Sequence, residues 1–509
     1  MKSINIYKAV LITVLAFLIV EISFDVKAQK NNTKSLYAVV DIIIQDDAML
    51  KDGVIRFEMS HNGVNTNASL QNELYDYKVN KRNTRLIIPL STKINYGRIN
   101  YAFTGQIEYQ PLDHANSLYI FENRDSIRIL INKNSISFSG KNSDKYKCLS
   151  LIYTHDINEE PAKVQRLFHE KKYEAMFEAQ KAQVDSLYTI QNAILQRYKP
   201  KLNPEVYDLI SIDCWASISE KLLGILVSKT MSNNSERMPY DLEVEKAYQK
   251  WFPDASYGTC NNQTLAQSYG FCDFLYAKEV FKARFFISDK SGFYNNNYTF
   301  EELYEPIQEE YSGLVRDKVN LTAFYIELTC KSDAKSYLDS AIYNAGENEF
   351  KKELLRLSKS FSGVAFPFEL PDKDGRIVRL SDFKGKLVVL DFWFTGCGAC
   401  ANLAEEMKPI IKDYKKNNVV FISISIDLAK KGWLKSVNEE KYSDKDEVNL
   451  YTSGLGDRHP VIKYYNIQGY PTLILISKEG KVISTSLPMP RRSNPETKIL
   501  FKKLLDSNL

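Results

Sequence analysis

Two cysteines stand three positions apart in the run Thr395-Gly396-Cys397-Gly398-Ala399-Cys400. The run follows an apolar segment and precedes helical sequence, so Cys397 is expected at the first turn of a helix. Unpaired backbone N–H groups and the positive end of the helix dipole stabilise a thiolate there, which lowers the cysteine pKa from about 8.5. Cys400 follows one turn later on the same face, within disulfide reach. Cys397 is therefore predicted to attack a disulfide and Cys400 to resolve the product.

The same spacing can form half of a zinc site. Structural zinc needs four ligands, and the chain has neither a second cysteine pair of this spacing nor paired histidines. Redox chemistry is therefore favoured over metal binding, and no metal or organic cofactor is predicted.

Alternating strands and helices over residues 361–509 are predicted to position the cysteines. The run KLVVLDFWF, which ends at Phe394, is continuously apolar except for Asp391, as expected of a strand buried on both faces. The predicted elements are strands at 386–394 and 418–427, a helix at 401–414, a strand ending at Ile476, a return strand at 481–487 and a helix from about Asn494.

The run DFWFTGCGAC, preceded by LSDFKGK and followed by GYPT, resembles the thioredoxin superfamily and most closely its TlpA-like envelope thiol-disulfide oxidoreductases. The resemblance covers about residues 361–509. It implies a central sheet flanked by helices, with Cys397 exposed at the rim and Cys400 beneath it as a redox-active disulfide.

The resemblance also implies roles for four residues outside the cysteine pair. Asp391 matches a buried acid that assists proton transfer at the resolving thiol, and Trp393 matches an aromatic residue beneath the motif. Pro471 matches the family's cis-proline, in a loop that contacts the client chain, and Tyr470, Pro471 and Trp393 are the residues predicted to bind the client.

Several positions depart from the family pattern. Gly396 stands where the family usually has Trp, and Gly398-Ala399 lacks a frequent proline. Leu403 replaces a common carboxylate, and Pro409 comes later than the usual proline. Because the dipeptide between the cysteines tunes the redox potential, the direction of electron transfer stays open.

Two other functions compete with the oxidoreductase. A peroxiredoxin has its catalytic threonine three residues before the cysteine and a proline further upstream, whereas Thr395 lies two residues before Cys397 with no such proline. An envelope binding or scaffold protein with a vestigial redox domain is the non-enzymatic alternative. The presence of both cysteines, Asp391 and Pro471 favours a working dithiol site.

Asp391 lies in an apolar strand, so loss of hydration is expected to raise its pKa above about 3.9. On the functional interpretation it takes the proton from Cys400. Alternatively, it lies at a strand end and is paired with backbone or a lysine.

The first 28 residues predict a secretory signal peptide, with a charged start, a twelve-residue apolar run and a small-residue cleavage site before Gln29. An uncleaved anchor is the alternative, but a membrane span needs about twenty residues. The protein is therefore predicted to be secreted across the inner membrane, to the periplasm or cell envelope.

Upstream of residue 361 the pattern predicts two further domains. Period-two segments between Ser35 and Phe138 indicate an antiparallel β domain over 29–152, with a hairpin at 127–138. Helical spacing indicates an all-α domain over 153–360, including one helix at 162–199 and another capped by Asn203. The net charge of +4 argues against nucleic acid as a partner.

Cys260 and Cys272 flank a polar stretch in an oxidising compartment, so either a structural disulfide or two free thiols fits there. The expected partners are protein thiol or disulfide clients and a membrane electron donor such as a transmembrane thiol reductase. The whole pattern favours a thiol-disulfide oxidoreductase that acts on protein disulfides, with reduction as the favoured direction.

Overall fold

A computed structural model places most of the chain, and the predicted signal sequence lies outside the described part. No helix among the described residues is long and apolar enough to cross a membrane. The described residues are 36–45, 50, 53–60, 73–79, 81–103, 110–111, 117–132, 135–155, 162–228, 237–252, 260–287, 298–328, 333–415, 417–465, 467, 469–485 and 487–509.

The N-terminal part of the described chain is built of strands. They are β1 (Tyr37–Ile44), β2 (Gly53–Met59), β3 (Glu73–Val79), β4 (Asn83–Pro89), β5 (Ile94–Phe103), β6 (Gln110–Pro111), β7 (Tyr119–Glu122), β8 (Ser126–Asn132) and β9 (Ser135–Lys141). One sheet has the order β4-β1-β8-β9, and the other has the order β3-β2-β5-β6 with β7 also paired to β5. Burial alternates along β1, β2 and β8, as the period of two predicts.

The prediction of a purely antiparallel β domain is wrong at one pair of strands. β1 runs parallel to β8, from Val39 opposite Ser126 to Ile44 opposite Ile131. Alternation in the sequence indicates which face a residue occupies, but it carries no information on the direction of the neighbouring strand. The antiparallel hairpin of β8 and β9 is confirmed, with residues 133–134 at its tip outside the described part.

Helices make up the described residues that follow. They are α1 (Asp144–Thr154), α2 (Ala162–His169), α3 (Tyr173–Tyr198), α4 (Pro204–Ser228), α5 (Arg237–Trp251), α6 (Asn262–Gln267), α7 (Phe271–Lys282), α8 (Glu301–Glu310), α9 (Gly313–Glu327), α10 (Ala334–Asn344) and α11 (Glu349–Ser362). The single helix predicted over 162–199 is two helices, because Lys171 between them has a left-handed φ of +57°. The predicted cap of α4 is confirmed, since Asn203 Oδ1 accepts a hydrogen bond from the N–H of Glu205 at 3.1 Å.

The two cysteines considered for a structural disulfide are not joined. Cys260 and Cys272 are both free thiols, and Cys272 is buried at the start of α7. Of the two alternatives for this pair, a structural disulfide or two free thiols, the structure therefore has the free thiols.

The C-terminal part is an α/β fold. Its elements are β10 (Glu369–Pro371), β11 (Ile377–Arg379), β12 (Leu387–Trp393), α12 (Gly398–Tyr414), β13 (Val419–Ser425), α13 (Lys430–Asn438), β14 (Val448–Tyr451), α14 (Pro460–Tyr464), β15 (Thr472–Ile476), β16 (Val482–Ser484) and α15 (Pro495–Asp506). The central sheet has the order β14-β13-β12-β15-β16. This is the thioredoxin-like arrangement that the sequence predicted.

Residues from Tyr37 to Leu509 form one compact unit. The predicted boundary at 152/153 falls inside α1, and the one at 360/361 falls inside α11. The division of this unit into a β-rich, a helical and a thioredoxin-like domain remains a prediction.

Candidate active site

The central strand β12 carries the site at its carboxyl end. It runs parallel to β13 and antiparallel to β15, and Phe392 lies opposite Thr472. The register therefore brings the residues just before Thr472 to the end of β12, where the chain turns toward the cysteines. Two distant segments, residues 394–400 and 469–472, meet at this edge of the sheet.

Cys397 and Cys400 form a disulfide at the start of α12, with their Cα atoms 5.3 Å apart. Cys397 is the N-cap residue of α12, and its Sγ accepts a hydrogen bond from the Cys400 N–H at 3.1 Å. A sulfur in this position faces the positive end of the helix dipole, so it suits a thiolate when the disulfide is reduced.

The predicted attacking cysteine is less exposed than the family resemblance implied. Cys397 is 7% exposed and Cys400 is 2% exposed, whereas Gly396, Gly398 and Ala399 are exposed. The Sγ of Cys397 lies 3.8 Å from the carbonyl oxygen of Tyr470, so the neighbouring loop covers part of the sulfur.

That loop contains a cis peptide bond between Tyr470 and Pro471. The Tyr470 ring packs edge-on against Phe394, with ring centroids 5.7 Å apart. The carbonyl group of Tyr470 and the half-buried Pro471 thus border the disulfide on the side of β15. Of the three residues predicted to bind a client chain, Tyr470 and Pro471 border the predicted attacking sulfur, whereas Trp393 is fully buried and has no surface to offer a client.

An aromatic cluster packs beneath the disulfide. The ring of Trp393 is fully buried, its Nε1–H donates to Ser423 Oγ at 2.6 Å, and it stacks on Tyr442 with centroids 5.1 Å apart. Trp433 of α13 and Tyr451 of β14 form a second stacked pair, 4.8 Å apart, in the same cluster as both cysteines. The sequence predicted Trp393 beneath the motif, but it did not single out the other three rings.

Asp391 lies on the face of β12 that α12 covers. Leu387 and Val389, four and two residues earlier on this face, pack against residues of α12 and α15. Asp391 is 6% exposed, and its Oδ1 has no hydrogen-bond partner among the described residues. Burial raises the pKa of this carboxyl group to about 7. The expectation of a raised pKa is confirmed, and a carboxyl group of this pKa can exchange a proton near neutral pH.

A second acid lies within electrostatic reach of Asp391. Glu447 immediately precedes β14, and burial together with the negative charge of Asp391 raises the pKa of Glu447. The N–H of Asp444 donates to Glu447 at 2.6 Å. The sequence did not single out Glu447, because nothing in the local pattern of residues 440–447 shows which strand they approach.

In the described part of the chain, no group of three or more His, Cys, Asp or Glu side chains is arranged to hold a metal ion. The site contains a buried disulfide, an acid whose pKa is raised by burial and a bordering loop, a combination that suits thiol-disulfide exchange.

Comparison with known proteins supports the same class of chemistry. The profile of the AhpC/TSA family matches residues 363–485. Thiol-disulfide oxidoreductase ResA of Bacillus thuringiensis subsp. konkukian (strain 97-27) is 33% identical over 136 residues, which cover 26% of this chain and 70% of that protein. The chain belongs to the thiol-disulfide oxidoreductases of the thioredoxin superfamily.

The chain is also similar to a second ResA protein and to a solved structure. Thiol-disulfide oxidoreductase ResA of Bacillus subtilis (strain 168) is 34% identical over 116 residues, which cover 23% of this chain and 61% of that protein. The crystal structure of the thioredoxin domain of a thiol-disulfide oxidoreductase from Bacteroides vulgatus is 27% identical, with a TM-score of 0.25, and covers 29% of this chain and 98% of that one.

Two further side chains that the sequence did not single out hold the segment before Cys397 of this oxidoreductase. Asp427, just past β13, accepts hydrogen bonds from the N–H of Thr395 at 2.8 Å and from its hydroxyl at 2.7 Å. Ser436 Oγ of α13 lies 2.8 Å from the same hydroxyl. A signal for Asp427 existed, because it is the first acid after a buried parallel strand and such strand ends share one edge of the sheet.

Proposed function

We propose that this oxidoreductase is an envelope enzyme that reduces disulfides of client proteins. The observation that carries the proposal is the position of the Cys397–Cys400 disulfide, which caps α12 beside the carbonyl group of Tyr470. A client chain lying along Tyr470 and Pro471 brings its own disulfide to the sulfur of Cys397.

The reaction transfers two electrons from the dithiol to the client. The Cys397 thiolate attacks one client sulfur, the client disulfide breaks, and the first client thiolate leaves as a mixed disulfide forms. Cys400 then gives its proton to the Asp391 carboxylate and attacks the sulfur of Cys397. The mixed disulfide breaks, the second client thiolate leaves, and the Cys397–Cys400 disulfide forms.

Each turnover leaves the enzyme oxidised, so a partner must supply two electrons. We assign this role to a membrane thiol reductase that passes cytoplasmic electrons outward. The signal sequence predicted over residues 1–28 supports a location across the inner membrane, where such a donor and disulfide-containing clients meet.

Two single-cysteine variants test the proposal. Cys397→Ser abolishes the reduction of insulin disulfides, because it removes the attacking thiolate. Cys400→Ser retains the first attack and accumulates client proteins as mixed disulfides, which non-reducing electrophoresis resolves. A Cys397→Ser variant that still forms mixed disulfides through Cys400 would reverse the assigned roles.

The midpoint potential of the Cys397/Cys400 couple tests the direction. A value near about −270 mV supports a reductant, whereas a value near about −120 mV identifies an oxidant. Consumption of hydrogen peroxide by the reduced protein at a rate above its reduction of insulin would instead favour a peroxidase. The Thr395 hydroxyl donates to Asp427, an arrangement that does not favour that alternative.

A further inference from the structure

The backbone between β12 and Cys397 is held by side chains from outside the cysteine motif. Gly396 directly precedes Cys397 and has a left-handed φ of +104°. A Cβ atom at this position would have no heavy atom within 4 Å, so the conformation and not crowding favours glycine here. This position is the one at which the family usually has Trp.

Tyr442 provides the hydrogen bond to Gly396. The N–H of Gly396 donates to the Tyr442 hydroxyl at 2.9 Å, although 46 positions separate the two residues. The Tyr442 ring is 4% exposed and stacks on Trp393, with an angle of 13° between the ring planes. The stacking fixes the ring, so the hydroxyl group is held at a defined place beneath the loop.

The preceding residue is held as well. Asp427 accepts both the N–H and the hydroxyl of Thr395, and Ser436 is bonded to the same hydroxyl. Because the single proton of the Thr395 hydroxyl goes to Asp427, Ser436 is the donor in the other bond. Side chains of Asp427, Ser436 and Tyr442 thus form hydrogen bonds with Thr395 and Gly396. These bonds fix the backbone conformation of the two residues that precede Cys397.

We propose that Tyr442 is a positioning residue that holds Cys397 over the N–H of Cys400 and thereby sets the reactivity of its thiolate. The bond from the Cys400 N–H to the Cys397 sulfur, 3.1 Å long, requires that Cys397 keep its extended N-cap conformation. A loop released at Gly396 samples other conformations, in which the sulfur loses this donor and the alignment with the helix dipole. The proposal rests on the proposed function only in taking Cys397 as the attacking cysteine.

Tyr442→Phe tests the proposal, with Tyr451→Phe as a matched control. The first variant keeps the stacked ring and removes the acceptor of the Gly396 N–H. Tyr451 belongs to the same buried cluster, but its hydroxyl donates to the carbonyl of Leu428 at 3.1 Å and not to the loop. The measurement is the rate at which iodoacetamide alkylates Cys397 in the fully reduced protein, between pH 5 and 10.

We expect Tyr442→Phe to alkylate about threefold to tenfold more slowly at pH 7, the equivalent of one ordinary hydrogen bond. Its alkylation profile should shift to higher pH, and Tyr451→Phe should match the wild type. Equal profiles for Tyr442→Phe and the wild type, or equal shifts for both variants, would overturn the proposal.

Gly396→Ala gives a second test if Tyr442→Phe does not fold. The added methyl group strains the left-handed conformation but meets no neighbour, so the loop changes while the aromatic cluster remains. The same shift to higher pH is expected, and an unshifted profile in this variant argues against the proposal. Alkylation needs no client, so a wild-type protein that fails to reduce insulin overturns the proposed function and leaves this test intact.

Discussion

Two buried aspartates in different parts of the molecule differ in the hydrogen-bond partners of their carboxyl groups. Asp125 lies between β7 and β8, completely shielded from solvent, and Asp391 lies within β12, where it is 6% exposed. Asp391 Oδ1 has no hydrogen-bond partner in the described part of the chain. Asp125 accepts hydrogen bonds from the Lys145 ammonium group at 2.8 Å and from the Tyr146 hydroxyl, the Asn142 amide and the Glu122 N–H at 2.9 Å.

This difference distinguishes a buried acid that stabilises the fold from a buried acid that can exchange a proton. A carboxylate with four donors is stabilised as a charge, and it fastens α1 to the sheets. A buried carboxylate with an unpartnered oxygen is destabilised as a charge, so it readily takes up a proton. The upstream region has a buried acid that is fully paired, whereas the thioredoxin-like region has one in β12, the strand that leads into its cysteines, where burial of the charge costs stability.

The largest expected effect is on the paired acid. Asp125→Asn leaves the buried Lys145 ammonium with only Glu122 as a charged partner among the described residues. We expect the free energy of unfolding to fall by about 3 to 5 kcal/mol, as for other buried ion pairs that lose one member. Urea unfolding followed by circular dichroism measures this. A change below about 1 kcal/mol would contradict the structural role given to Asp125.

Asp391→Asn should have the opposite sign. The pKa of Asp391 is about 7 in the folded protein against 3.8 ordinarily, so the native state holds an extra proton between about pH 4 and pH 7. Asp391 therefore makes the wild type less stable as pH rises through that window, and the Asn variant lacks this contribution while it keeps the one that the buried Glu447 makes. We expect the variant to gain about 2 to 4 kcal/mol above pH 7 and almost nothing at pH 4. A gain that does not depend on pH would show that charge is not the cause.

The same variant should slow one step of the reaction. Without the carboxylate, Cys400 loses its proton acceptor, so resolution of the mixed disulfide slows by about 100-fold, within the usual range for a general base. The first attack by Cys397 should stay near the wild-type rate. Stopped-flow measurement of both steps between pH 6 and 8 decides this, and resolution at the wild-type rate would make Asp391 structural.

The smallest effect is expected where the two regions touch. Arg458, close to the end of the loop that follows β14, forms an ion pair with Asp76 of β3 at 2.8 Å, and Arg56 of β2 pairs with the same carboxylate at 2.7 Å. Both partners of the first pair are partly exposed, so Arg458→Ala, which leaves the Arg56–Asp76 pair in place, should cost about 1 kcal/mol or less. Thermal unfolding at low and high salt measures it. A loss that salt leaves unchanged would indicate packing and not charge.

The sequence predicted the parts of the site whose signals are local. The strand β12 is buried on both faces and therefore reads as a continuous apolar run, and the spacing of Cys397 and Cys400 places both on one helix face. Tyr442 and Ser436 could not be predicted, because they reach Gly396 and Thr395 across 46 and 41 positions. The break between α2 and α3 at Lys171 could not be predicted either, since a left-handed residue other than glycine has no strong sequence signal.

The parallel pairing of β1 with β8 has a consequence for how the chain is made. β1, with the sequence YAVVDIII, is the first described strand to be synthesised, and on one side it pairs with β4. Its other edge can pair only after β8 has been synthesised, because Val39 of β1 lies opposite Ser126 of β8. A strand rich in Val and Ile with a free edge readily pairs with other chains. The interval between the emergence of Ile44 and that of Ile131 is therefore the period in which a nascent chain is most exposed to aggregation through this strand.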